Sequence, residues 1–365
     1  MADIAGHIDV EALGITVRIK FRGDTHLKLR EEIARSWEGA RQSARREPDA
    51  VVESPAIDDP ALLQERLTAA VTLKAMERRA GELLLFHACG VALPDGRVVA
   101  FVGPSGRGKS TLARELGRRF GYVSDETIGV DAAGMVHPHR KPLSMKREAG
   151  PKWQLSPRDA GLLPLPEQPL RLAALVLLDR RQDPTEPCVE VVPLLEGIAA
   201  LTQEMSYLAR MSAPLRRIAS LCAQTGGVRR LIYSDVDSLT ALVPSILASG
   251  PAEPWEPGCR LHEAPGSLVG DRVVDAIKSG DRAAVLTEGR LTVLDGIAPT
   301  IWAAVASGAG PDGILEAVIA AHGLPPEGEA RGIVQAVLAE LVAMGLIRDV
   351  PFSPAACAGP VARPV

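Results

Sequence analysis

The stretch "FVGPSGRGKSTLARELGRRFGYVSDETIGV", residues 101–130, decides how the rest of the chain is read. It opens apolar, turns abruptly glycine-rich, and then runs into helix-forming residues. "GPSGRGKS" fits G-x-x-x-x-G-K-[ST], with Gly103, Gly108, Lys109 and Ser110 at the fixed positions. The spacing has a physical cause. A phosphate chain is wrapped by backbone N–H groups, and side chains at the glycine positions would block its approach. Glycine also permits the positive backbone dihedrals that such a loop needs. The helix after the loop aims its positive N-terminal end at the same phosphates. The candidate nucleotide-binding residues are therefore Gly103, Pro104, Ser105, Gly106, Arg107, Gly108, Lys109, Ser110 and Thr111. Lys109 would neutralise phosphate oxygens, and Ser110 would offer its hydroxyl to Mg²⁺. A chance match is the competing reading; an apolar strand before the loop and a helix after it weigh against that.

Carboxylates must say what the loop is for. Asp125 and Glu126 lie fifteen and sixteen residues after Ser110, in "YVSDETIGV". One could bind Mg²⁺ and one could take a proton from an attacking hydroxyl. A solvated acidic turn is the bland alternative. Asp179, closing the apolar "AALVLLD", is a rival metal ligand, and the residues alone leave that contest open.

Working outward, 365 residues exceed one compact core and imply two domains or three. With 46% apolar and 24% charged residues, the composition is that of an ordinary globular protein. A formal charge of −4 gives no reason to expect nucleic acid or an anionic membrane as partner. The longest apolar run, near "LAALVLL", is too short for a bilayer, and the N-terminus lacks a signal-peptide pattern. Five scattered cysteines without C-x-x-C read as reduced thiols in a cytoplasm.

Periodicity divides the chain. Residues 1–80 hold one alternating strand, "ITVRIKF", the loop-like "REPDAVVESPAIDDP", and a helix over "ALLQERLTAAVTLKAMERRAG". They are expected to pack on the domain that carries the glycine loop. Residues 81–249 alternate strands with helices, which predicts an α/β domain with a largely parallel sheet. Its helices include "LLEGIAALTQEMSYLARM" and "VDSLTALVPSILAS". "GPAEPWEPG", 250–258, is a linker signature. Residues 259–350 offer short strands, then three helices, in a small α+β arrangement resembling a winged helix. The tail 351–365, rich in proline and alanine, is expected to be disordered.

The stretch "LLFHACGVALPDGRVVAFVGPSGRGKSTLARELGRRFGYVSDETIGVD" resembles the catalytic domain of the HPr serine kinase/phosphorylase family, whose loop is similar to that of phosphoenolpyruvate carboxykinases. It is most similar to the shorter HPr-kinase-like proteins found beside peptide-modification genes. The resemblance covers about residues 80–245. It implies a P-loop kinase-like fold that uses ATP and Mg²⁺. It also implies catalytic roles for His87, Lys109 and Asp125, and metal ligation by Ser110, Asp125 and Glu126, which favours Asp125 over Asp179. The family's second acid is usually Asp, and here it is Glu126. The glycine-rich signature that true HPr kinases use for HPr contact is missing, which argues against HPr as substrate. His87 alone, on an apolar strand, reads equally as a packed core histidine. The basic run "HPHRKPLSMKRE" could set Arg140, Lys141 or Lys146 against phosphate or an acidic peptide, or be a solvated loop. His137 and His139 suggest a metal without supplying further ligands.

The segment "RLTVLDGIAPTIWAAVASG", with Trp302 and the closing Leu341, Gly345, Leu346 and Ile347, resembles the PqqD family of small winged-helix domains that recognise leader segments of ribosomally made peptides. That family binds its peptide by strand addition, here within about 271–294. Trp302 reads most simply as core. The implied function is phosphotransfer to a Ser or Thr of a precursor peptide. The partners are that leader peptide and other peptide-modification enzymes, with self-association left open. Two other readings stand beside it: a catalytically silent nucleotide-binding scaffold that presents a leader peptide, and a nucleotide-hydrolysing switch.

Overall fold

The computed structural model describes residues 6–42, 47–145, 147–236, 239–248, 250–258, 270, 273–288, 290–325 and 329–348. The expectations for Lys146, Cys259, Cys357 and the tail 351–365 lie outside the described residues. The chain forms two compact units, Met1–Glu253 and Pro254–Val365. Among the described residues no helix is long and apolar enough to cross a membrane.

The first unit opens with a small sheet. Strands β1 (His7–Ala12) and β2 (Ile15–Lys20) pair antiparallel through a turn in which Leu13 and Gly14 both have positive φ. Helix α1 (Gly23–Ser36) comes next, and β3 (Ala50–Glu53) then pairs parallel to β2. That strand lies inside the segment read as loop, because its four residues are too few for alternation to stand out. Helix α2 (Pro60–Arg79) starts where the sequence pattern predicts, with the Asp59 carboxylate capping Leu62 N–H at 2.8 Å and Pro60 in its first turn. Its Leu63, Leu67 and Val71 fill one core with Val10, Val17, Ile19 and Trp37.

The main sheet is built on β4 (Leu84–Ala92) and β5 (Arg97–Val102), a hairpin turned by "PDG". Helix α3 (Lys109–Gly117) succeeds the glycine loop, and then come β6 (Gly121–Ser124), β7 (Thr127–Val130), β8 (Val136–His137) and the pair β9 (Leu143–Met145) and β10 (Trp153–Leu155). Next are β11 (Arg171–Arg180), β12 (Cys188–Val192), α4 (Leu194–Gln203), β13 (Met205–Ser206), α5 (Pro214–Gln224), β14 (Val228–Tyr233) and α6 (Val243–Leu247). The nine-stranded order is β12-β14-β11-β5-β4-β7-β8, with β6 and β13 also on β4.

The expectation of a largely parallel sheet is corrected here. Only β5-β11-β14 pair in parallel; every other pairing in this sheet is antiparallel. Two of the three parallel strands, β5 and β11, carry near-continuous apolar sequence, "VVAFV" and "LAALVLL", and lie in the middle of the sheet. The β4–β5 and β7–β8 pairs are joined by short turns that only antiparallel pairing can close. Two predicted helices are shorter than their patterns. The one from Leu194 stops at Gln203, because Met205–Ser206 pairs with Phe86 and Leu85 instead. The one after residue 236 is helical only over Val243–Leu247, after a 3₁₀ turn.

The second unit is a four-stranded antiparallel sheet, β15 (Glu256–Pro257), β16 (Val273–Ser279), β17 (Arg282–Thr287) and β18 (Leu291–Leu294), in that order. Helices α7 (Ala298–Ala306), α8 (Pro311–His322) and α9 (Ala330–Ala343) come after it. Their apolar faces close a separate core around Val285, Ile301, Ile314, Leu338 and Leu341. Trp302 is part of that core, 2% exposed.

Candidate functional site

The site grows from the end of β5. Its Phe101 and Val102 lie beside Val176 and Leu177 of β11, so the chain leaves the sheet at its buried middle. The loop then turns back through Gly106 and Gly108, with φ of 86° and 91°. Gly108 is the N-cap of α3, so no side chain there shields the first N–H groups. Tyr233, at the end of β14, fixes the loop from beneath: its buried hydroxyl donates to the Arg107 carbonyl at 2.9 Å. The Arg107 guanidinium in turn donates to the Arg180 carbonyl at 3.2 Å. Leu112, Ala113 and Leu116 of α3 pack on Cys89, Val91 and Tyr122, which sets the helix against β4 and β6.

Lys109 is the first residue of α3. Its ammonium donates to the carbonyls of Gly103 at 2.5 Å and Pro104 at 3.0 Å, which folds the loop around the side chain. Burial lowers its proton affinity, and the nearby charges of Glu204, Glu126 and Asp125 work the other way. Ser110 and Thr111 are exposed on the outer side of the same turn.

The stretch "GYVSDETIGV" forms two strands, β6 and β7, parted at the acidic pair. The Ser124 hydroxyl accepts from the N–H of Glu126 at 3.2 Å and of Thr127 at 3.1 Å, which makes the break. Asp125 is thereby buried, 5% exposed, while Glu126 keeps partial access to solvent. Burial raises the proton affinity of Asp125. That is outweighed by the charge and hydrogen bond of Lys141, the Tyr122 hydroxyl at 3.1 Å and the nearby Ser110 hydroxyl, so its carboxyl is held below the ordinary carboxylate range.

Lys141 is the residue for which sequence and structure differ most. The sequence offers it as a candidate for phosphate or an acidic peptide; its ammonium instead lies 3.0 Å from Asp125 Oδ1 and 3.2 Å from Glu126 Oε2. Its side chain is 2% exposed. The signal is present in the basic run "HPHRKPLSMKRE", but nothing in that run says which cation turns inward. Arg140 is held elsewhere, donating to the carbonyls of Gly39 and Leu163. His137 pairs with Asp131 at 3.2 Å. His139 is fully buried: its Nε2 meets the Thr72 hydroxyl at 2.9 Å, and its Nδ1 has no partner. Burial and the Lys141 charge push it down to about 3.

His87 stands on β4 opposite Thr127 of β7. Burial and the charge of Lys109 lower its proton affinity by more than Glu126 and Glu204 raise it. Lys109 is thus within electrostatic reach of His87, Asp125 and Glu126, and His87 of Glu126. Asp179 closes β11, where Arg181 donates to it at 2.7 Å.

The donor chemistry around the loop is hydroxyl and carboxylate oxygen, the kind a hard divalent cation takes. The arrangement does not fit a resident metal on the acidic pair, because the Lys141 ammonium already lies between the two carboxylates. Among the described residues there is no group of three or more His, Cys, Asp or Glu side chains suited to a metal ion.

Fold and site together define a mixed α/β protein with a P-loop at a strand–helix junction of its central sheet. No family model matches the chain. Over 72 residues it is 36% identical to the phosphate import ATP-binding protein PstB 1 of Vibrio parahaemolyticus serotype O3:K6, an overlap of 20% of this chain and 25% of that protein. Over 230 residues it is 27% identical to the aliphatic sulfonates import ATP-binding protein SsuB 1 of Frankia alni, covering 61% of this chain and 73% of that one. The chain therefore spans a quarter of the first of these curated relatives and about three quarters of the second. The solved HPr(Ser) kinase/phosphatase of Coxiella burnetii aligns with 45% of this chain and 93% of its own, at 14% identity and a TM-score of 0.26, a likeness too slight to carry an argument.

Proposed function

We propose that the first unit binds ATP, as its magnesium complex, on the loop 103–111 and transfers the γ-phosphoryl group to a Ser or Thr hydroxyl of a peptide. The curated relatives are ATP-binding proteins by name, which supports the nucleotide. One observation supports the transfer: Lys109, the first residue after the glycine loop, lies near enough to His87, Asp125 and Glu126 for their charges to act on one another. Lys109 would exchange its carbonyl partners for phosphate oxygens. The acceptor oxygen then forms a bond to the γ-phosphorus as the bond to the β,γ-bridging oxygen breaks, and ADP leaves. The acceptor proton goes to Asp125, with His87 as a second candidate acceptor. Little covalent work is asked of the protein; positioning and charge do most of it. The metal travels with the nucleotide, where Ser110 would face it.

The second unit serves as the peptide holder in this reading. It offers β18 as a sheet edge, onto which a leader segment could add as a strand. Holding the acceptor by a short flexible link raises its local concentration to the millimolar range. Mass spectrometry of a candidate precursor after incubation with ATP and Mg²⁺ tests the proposal. One added phosphate, lost on Asp125→Asn, supports it. ADP formed with no phosphopeptide points to a nucleotide-hydrolysing switch.

A second reading has its own observation. Both acids are engaged by Lys141, an arrangement equally suited to a silent nucleotide-binding scaffold. That reading predicts tight peptide binding and no change in peptide mass.

A further inference from the structure

Lys141 has no bonding capacity to spare. An ammonium has three N–H donors and no acceptor. Here all three are engaged: Asp125 Oδ1 at 3.0 Å, Glu126 Oε2 at 3.2 Å and the Pro142 carbonyl at 3.3 Å. None is left for a phosphate. A buried lysine is expensive to desolvate, and one so fully satisfied is held for its effect on its partners. Those partners are the two carboxylates that the family resemblance offers to a metal. Asp125 is buried, so without Lys141 its charge would lose its directly bonded cation and lie close to that of Glu126.

We infer that Lys141 is the resident cation of the acidic pair: a positioning residue that fixes Asp125 between Tyr122 and Ser110 and keeps divalent metal off the pair until a nucleotide brings it. The inference refines the proposed function by naming the group that holds Asp125, and it rests on that reading only for the arrival of metal with nucleotide. The ammonium lies near one carboxylate oxygen of each acid, where a shared divalent ion would have to sit. It is tethered by its own chain, so it need not be recruited from solution. The tie also spans the fold: Lys141 comes directly after His139 and Arg140, which contact Thr72 and Gly39 of the first eighty residues. That segment therefore has a part in placing the site.

The experiment is Mn²⁺ binding to the full chain, monitored by electron paramagnetic resonance, with and without a non-hydrolysable ATP analogue. Without nucleotide, the wild-type chain should bind no more Mn²⁺ than the Asp125→Asn variant. Lys141→Met should bind one ion per chain, at least tenfold tighter than wild type, and lose it again when Asp125→Asn is added. Lys141→Arg, which restores a cation, should behave as wild type; a merely structural lysine would show no such rescue. Uptake of one Mn²⁺ by nucleotide-free wild type, lost on Asp125→Asn, would overturn the inference. So would a folded Lys141→Met that gains no ion. Should Lys141→Met fail to fold, the comparison of wild type with Asp125→Asn still decides. With the analogue, wild type should bind one ion. If the analogue itself is not bound, the nucleotide reading fails while the nucleotide-free arms still judge Lys141.

Discussion

At the residue scale the site is a balance between two lysines. Lys109 bonds only to carbonyl oxygens of its own loop, a neutral and exchangeable set; Lys141 is locked to two carboxylates. Lys109→Met should therefore weaken nucleotide binding by roughly 10- to 150-fold, the worth of a charge-assisted contact, with the fold intact; titration calorimetry reads this. His139 makes a separate prediction. Its folded value of about 3 lies below the ordinary 6.5, so the unfolded chain binds a proton that the folded chain refuses. Stability is then complete above pH 6.5 and falls as pH drops toward 3, by up to about 1.4 kcal/mol per unit. His139→Gln should flatten that part of the curve of Tm against pH. The loop at the strand–helix junction was legible because its glycine and lysine spacing is fixed and local, and the acidic pair was legible through the resemblance. Tyr233 and the inward turn of Lys141 were not, because their partners lie far along the chain; Tyr122 bonds to Asp125 only three residues away, but nothing local marks it.

At the scale of elements, two breaks in strands do the positioning. The β4–β5 turn depends on Gly96, whose φ is 86° and whose missing Cβ would collide with the carbonyl oxygen of Pro169. Gly96→Val should cost at least about 2 kcal/mol, since the left-handed strain alone is worth roughly 1–2 kcal/mol. In a unit of this size that is roughly a 4–8 °C loss in Tm, readable by calorimetry. The break between β6 and β7 rests on the Ser124 hydroxyl. Ser124→Ala should shift Asp125 and reduce phosphotransfer more than stability, by about tenfold or more, as small misplacements of reacting groups do. Long apolar strands and capped helices such as β5, β11 and α2 were readable from pattern. The strands of two to four residues were not, because alternation needs length; that is also why the sheet was expected to be parallel.

At the scale of the whole molecule, the chain is two units with separate cores, and the division at Glu253/Pro254 lies in the proline-rich 250–258. Residues 1–253 expressed alone should bind nucleotide as the full chain does and lose peptide capture; a pull-down with the precursor separates the two. The first eighty residues carried no legible function, yet they share a core with Leu83 and with Leu85 of β4 and touch His139, two residues before Lys141. Their removal should therefore abolish folding of the first unit rather than merely trim it. The central claim is the phosphate cradle at residues 103–111. Calorimetric titration of the full chain with an ATP analogue and Mg²⁺ tests it most directly. One site per chain, weakened at least tenfold by Lys109→Met, is the predicted result. No heat from the wild-type chain, or equal binding by the variant, would contradict it.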